Sequence, residues 1–276
     1  MKPILFLLFS IGALASAQES RIVALSPALN EIVFALGAGS KVVGNTQYST
    51  YPLASKAVSK VGGYFSPNLE KILSVNPSIV IMQKNNAKLA KQLNKLGIRT
   101  KIIQIGRLPH ITSTIMELGK LLHKESKARE IVANIEQHLQ DIKGIVKDKK
   151  ILMVIGHNTS LVKQIFVVGQ NLYLDDIINA SGNTNALQST RKGQPILNQE
   201  NIIATNPDIV ILLAHSMKQK GLTPSELINP WLALPINAVK SKDIYIIDKE
   251  YSGIPSDRLV LFLQDFKKIL HASKNR

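Results

Sequence analysis

Fourteen residues of this chain recur, substituted but recognisable, 130 positions further on: NLEKILSVNPSIVI at 68–81 and NQENIIATNPDIVI at 198–211. Each copy has the grammar of one structural unit. Asn68 or Asn198 is an N-cap, and Glu70 or Glu200 falls in the first helical turn, where the helix dipole favours a carboxylate. Asn-Pro, at 76–77 and 206–207, then ends a short helix before an apolar run. The apolar runs at 22–25 and 151–155 lie 129 apart, so the register reaches beyond one segment. A chain duplicated in this way is constrained to fold as two similar lobes.

The periodicity assigns those lobes a class. Short β-branched runs at 22–25, 42–43, 79–82 and 102–105, then at 151–155, 166–168, 209–213 and 244–247, alternate with helical patterns. That alternation predicts α/β lobes of Rossmann-like type with mostly parallel central sheets. Between them, Ile115, Leu118 and Leu122, then Ile131, Ile135, Leu139, Ile142 and Val146, keep one apolar stripe at spacings of three and four. Lys124, Glu125 and Ser126 interrupt it. The pattern therefore predicts a short helix and then a long rigid one over 126–147, about 33 Å at 1.5 Å per residue. The expected organisation is a lobe over 18–111, connecting helices over 112–147 and a second lobe over 148–276.

Residues 1–17 read as a secretory signal peptide: Lys2 is basic, 4–14 is apolar, and Ala15, Ser16 and Ala17 form a small-x-small cleavage site. Its roughly 11 apolar residues fall short of the ~20 that span a bilayer. A periplasmic protein is expected. The sequence has no cysteine, which excludes disulfides, thiolate metal sites and Cys nucleophiles, and leaves no lipid attachment site at the cleavage point. Lys and Arg number 34 against 19 Asp and Glu, a net +15, but Lys outnumbers Arg 27 to 7 and is spread along the chain. Nucleic-acid recognition favours clustered Arg forks, so a solvated basic surface is expected and no nucleic-acid partner.

No GxSxG, P-loop, HExxH or glycine-rich phosphate turn is present, and no enzyme activity is expected. His157 and His215 each follow a second-lobe strand, at the edge where open α/β sheets bind ligands. They read either as ligand contacts or metal donors, or as solvent-exposed loop residues. Aromatics are 5% of the chain, yet Tyr48 and Tyr51 stand in QYSTYP, Tyr64 and Phe65 in GGYFSPN, and Tyr251 in KEYSGIPSDR beside Arg258. Rings among Gly, Pro and Ser suggest stacking on a flat or bulky ligand, or packing on their own loops. Trp231 in NPWLAL reads as a buried anchor of a short helix.

RIVALSPALNEIVFALGAGSKVVGNTQYSTYP, KVGGYFSPNLEKILSVNPSIVIM, SGNTN and QENIIATNPDIVIL, with the long helix between them, resemble the periplasmic solute-binding proteins of iron-chelate, haem and vitamin B12 importers, and within them the cobalamin-binding branch. The likeness covers essentially the whole chain after residue 17. It implies a ligand clamped between two lobes joined by a rigid helix, and delivery to an inner-membrane ABC permease. By motif, Tyr48 and Tyr64 would face the ligand from the first lobe and Phe166, in FVVG, from the second, with the Tyr251 loop closing one side. Cobalamin binders tend to have Trp where this chain has Tyr64, Gln83 and Gln194, so haem, a siderophore or another corrinoid stays open. The resemblance also implies that Glu70 and Glu200 each meet an arginine of a permease dimer. The expected protein is monomeric, has no resident cofactor or metal, and takes a metal chelate as its ligand. Two other functions fit a two-lobed cleft: an enzyme acting between the lobes, and a sensor of the same ligand.

Overall fold

The computed structural model describes residues 20–162, 164–189 and 194–275; the expected signal peptide lies outside them. The first lobe has five strands, β1 (Ile22–Ala24), β2 (Val42–Asn45), β3 (Ser59–Lys60), β4 (Ile79–Gln83) and β5 (Arg99–Ile103), ordered β3-β2-β1-β4-β5 with every pairing parallel. Its helices are α1 (Pro27–Ala35), α2 (Leu69–Ser74), α3 (Ala87–Lys95) and α4 (Leu108–Leu121). The pleat sends Ile22 and Ala24 to the face covered by α1 and α4. Val23, Val80 and Met82 point the other way, against α2 and α3.

The second lobe contains β6 (Lys150–Ile155), β7 (Ile165–Val167), β8 (Thr184–Asn185), β9 (Ile196–Leu197), β10 (Ile209–Leu213) and β11 (Ile244–Ile247), with a main sheet ordered β11-β10-β6-β7-β9 and β8 beside β6. The duplicated unit is reproduced atom for atom at its caps. Asn68 Oδ1 accepts the Lys71 N–H at 2.8 Å in α2, and Asn198 Oδ1 accepts the Asn201 N–H at 2.8 Å in α7 (Gln199–Thr205). Asn76 and Asn206 both close their helices in the left-handed region, at φ 46° and 41°. The lobes diverge beyond β6, where β7 runs antiparallel to it. Only nine residues join the two strands, fewer than a parallel crossover requires.

Between the lobes stands α5 (Glu125–Ile142), 18 residues and about 27 Å long. It is shorter than the expected 126–147 helix, because Gly144 turns the chain at φ 73° and donates its N–H to Ser181 O at 3.0 Å. Val146, which had prolonged the apolar stripe, is buried outside the helix. Antiparallel to α5 packs α4, the two meeting where His123 adopts φ 56°. A side chain on Gly119 would collide there with Ala128 Cβ at 2.4 Å. On its other side α5 contacts α10 (Leu259–Lys274), which with α6 (Tyr173–Ala180) covers the inner face of the second sheet. One continuous apolar core therefore runs from Ile22 and Ile81 through Ile115, Ile135 and Ile142 to Ile151, Ile211 and Phe266. A separate core on the outer face holds Trp231, fully buried on α8 (Pro224–Leu232), beside α9 (Asn237–Lys240).

Candidate functional site

A depression of about 790 Å³ lies at the amino ends of the first-lobe strands, near Arg21, Val42 and Ser59. Parallel sheets bind ligands at the opposite edge. A cleft of about 530 Å³ is found there, between the lobes. From the first lobe it is lined by the start of α1 and by Tyr48, Tyr64, Phe65 and Gln83; from the second by Leu172, Tyr173, Gln194, Ile254 and Pro255. Among the described residues the lining contains no histidine, carboxylate, amine or guanidinium.

A buried polar network sets the first-lobe loop that carries Tyr48. Asn30 on α1 donates through Nδ2 to Ser55 Oγ at 2.7 Å and to Tyr51 O at 3.0 Å, while Asn45 donates to Asn30 Oδ1 at 3.0 Å. Lys60 Nζ donates to Asn45 Oδ1 at 2.7 Å, Ser55 O at 2.9 Å and Ser49 O at 3.0 Å. Burial holds that ammonium below the usual lysine range. With its backbone held, the Tyr48 ring stands 64% exposed at the cleft mouth. Tyr64 donates its hydroxyl to Gln83 Oε1 at 2.8 Å, and burial pushes its phenol up. The Phe65 ring, 82% exposed, meets Tyr64 edge-on with centroids 4.5 Å apart. Such surface, apolar and electron-rich, suits a flat or bulky organic ligand.

Other expected contacts are engaged elsewhere. Arg258 is 6% exposed and forms a fork with Glu31 of α1, its Nε donating to Oε2 at 3.0 Å and its NH2 to Oε1 at 2.5 Å. Ser256 Oγ donates to the same carboxylate at 2.6 Å, Glu250 accepts from Arg258 NH1 at 2.9 Å, and the guanidinium lies 3.8 Å from the Tyr51 ring centroid. Arg258 thus ties the two lobes together and does not line the cleft. Burial pushes the Glu31 carboxyl up despite those donors. Asp257, with one oxygen unpartnered, is raised by burial and then by the charge of Glu31 to about 6. Tyr251 directs its hydroxyl to Asp265 at 2.6 Å, away from the cleft lining, although Ile254 and Pro255 of its loop line it.

Neither strand-end histidine lines the cleft. His157 donates from Nε2 to His215 O at 2.6 Å and accepts from Lys220 Nζ at 3.2 Å through Nδ1. Burial, then the neighbouring His157 and Lys220, hold His215 below the usual imidazole range. Among the described residues no group of three or more His, Asp or Glu is placed to hold a metal. Phe166, on β7, is 45% exposed opposite Ile196 and also lies off the lining. Glu70 and Glu200 are exposed on α2 and α7, with no ion pair among the described residues.

A second inter-lobe tie went unread in the sequence. Arg107 donates from Nε to both oxygens of Asp176 at 2.8 and 3.0 Å, and Asp176 also accepts the Leu108 N–H at 2.8 Å, capping α4 from the other lobe. Glu31 did leave a trace. It is the one charged residue in the apolar run ALNEIVFALG.

Residues 22–251 match the family model described as periplasmic binding protein. Among relatives, an ABC transporter substrate-binding lipoprotein of Bacillus subtilis is 28% identical over 263 residues, 92% of this chain and 81% of that one. The vitamin B12-binding protein of Vibrio vulnificus is 25% identical over 262 residues, 94% of this chain and 93% of that one. Among solved structures, the apo periplasmic heme-binding protein of Roseiflexus sp. RS-1 has the same fold, with a TM-score of 0.76 at 24% identity over 93% of this chain and 99% of that one.

Proposed function

This chain belongs to the periplasmic binding protein family, and from that premise we propose that it captures a metal chelate between its lobes and delivers it to an ABC permease in the inner membrane. The chelate is a corrinoid, a haem or an iron siderophore. The observation that carries this reading is the cleft itself: uncharged along its described lining residues, aromatic on one wall through Tyr48, Tyr64 and Phe65, apolar on the other through Leu172, Ile254 and Pro255. Such a cleft holds a large conjugated ligand by area and stacking. It pairs no nucleophile with a base among its described lining residues, which favours a carrier over an enzyme.

Residues 1–17 act in this reading as the export signal to the periplasm, and the protein works as a monomer without a resident cofactor. Glu70 and Glu200, one per lobe and equivalent in the repeat, are the permease contacts, each offering a carboxylate to a basic partner residue. Absorption spectra recorded while haem, cobalamin, cobinamide and ferric siderophores are titrated identify the ligand. Failure of all of them to bind below about 10 µM, roughly −7 kcal/mol, overturns the chelate assignment. Glu70→Arg with Glu200→Arg should leave ligand affinity and melting temperature unchanged while uptake into proteoliposomes collapses; normal uptake removes the docking role.

A further inference from the structure

The lysines run the length of the chain, but the carboxylates that offset them do not, so the net charge is concentrated. From Lys71 to Met116 the chain has eight Lys or Arg and no Asp or Glu, so one sixth of the sequence supplies +8 of its +15. The fold sorts much of that charge onto one surface. In α3, Leu89, Ala90 and Leu93 are buried against the sheet. Lys88, Lys91 and Lys95 stand exposed on the opposite side, and Lys84, in the turn before the helix, extends the row. Spacings of four, three and four keep all four on one stripe about 16 Å long. None of them has an ion pair among the described residues, whereas Lys101 and Arg107 of the same stretch are paired with Glu117 and Asp176. Arg99 is exposed on the adjoining edge strand β5, and at the end of α3 Leu96 is exposed beside Lys95.

We propose that the lysine face of α3 is a docking surface for an anionic phospholipid bilayer. The charges are ammonium groups on flexible stems, which suit a fluid layer of headgroups; a fixed site on a folded partner favours the bidentate fork of Arg. A row of basic residues with an exposed leucine at its end is also the pattern of surfaces that rest on acidic membranes. The inference stands on this charge pattern and needs no particular ligand in the cleft.

Flotation of the full-length mature protein with phosphatidylcholine vesicles, with and without 30 mol% phosphatidylglycerol, tests it. Binding should require the anionic lipid and fall steeply between 50 and 300 mM NaCl. Lys84→Gln, Lys88→Gln, Lys91→Gln and Lys95→Gln together should lower the partition coefficient more than tenfold. A charge-matched control, Lys120→Gln, Lys124→Gln, Lys143→Gln and Lys149→Gln, should change it less than threefold. Equal losses in the two variants would reduce the effect to net charge and overturn the proposal. No binding to phosphatidylglycerol vesicles, with retention on an immobilised acidic polypeptide, would overturn it in favour of a protein partner. Unchanged melting temperature and far-UV spectra establish that both variants are folded.

Discussion

The two lobes share a centre and differ at their margins. Around β1 and β4 in one, and β6 and β10 in the other, strand register, Asn caps and left-handed helix ends repeat at offsets of 129 and 130. On the far side of the central strand the first lobe adds parallel β2 and β3, and the second adds β7, antiparallel to β6, and then β9, antiparallel to β7. The cleft follows the margins. Its exposed rings come from first-lobe loops, that of Tyr48 tied down by Asn30 and Lys60; among the described residues the second lobe contributes chiefly an apolar wall. Duplication supplies a frame that positions two sheet edges against each other, and the loops outside the repeat supply the chemistry.

The ties across the lobes provide the most forceful test of this contrast. Removing one partner of a buried ion pair leaves a charge without compensation, a loss of about 3–5 kcal/mol. Glu31→Ala should therefore lower stability in urea denaturation by that order. Arg107, with its side chain 38% exposed, should lose about 1 kcal/mol or less as Arg107→Ala. Equal costs would show that the two ties are alike despite their different burial.

Next in size is the asymmetry of the cleft walls. Tyr64→Ala should weaken the bound chelate about tenfold or more, on the order of 1–2 kcal/mol, whereas Phe166→Ala should change its affinity less than threefold. An equal loss for Phe166→Ala, measured by the same spectral titration, would extend the site onto β7 and make the lobes more nearly symmetric. The smallest difference is expected where the repeat is most faithful. Asn68→Ala and Asn198→Ala should each cost about 1 kcal/mol, the usual value of an N-cap, and agree within about 0.5 kcal/mol in thermal unfolding. A larger gap would mean that the copies share sequence without sharing energetics.

What could be read from the amino-acid order was mostly local. Asn-x-Glu and Asn-Pro marked both ends of α2 and α7, since capping and left-handed closure depend on residues a few positions apart. Loop rings flanked by Gly and Pro pointed to Tyr48, Tyr64 and Phe65. The end of α5 was misplaced because Val146 continued an apolar stripe that the turn at Gly144 had already broken. β7 could be recognised as a strand, but its direction depends on the length of the connection before it, which periodicity does not encode. Arg258 and Tyr251 read as open ligand contacts because their loop is rich in Gly, Pro and Ser. The partner that closes over Arg258, Glu31, lies 227 residues away, and pairings at that distance are set by the assembled fold.

The uninterrupted inner core has a thermodynamic corollary. Side chains from both sheets and from α4, α5, α6 and α10 are buried in one another's contact, so neither half retains its inner-face core when the other melts. Two lobes in outline are then a single cooperative unit in unfolding: heat absorption should collect into one transition whose calorimetric and van't Hoff enthalpies agree. Severing the chain between α5 and β6 would yield two fragments, each with an apolar face in water, that regain order only by finding each other.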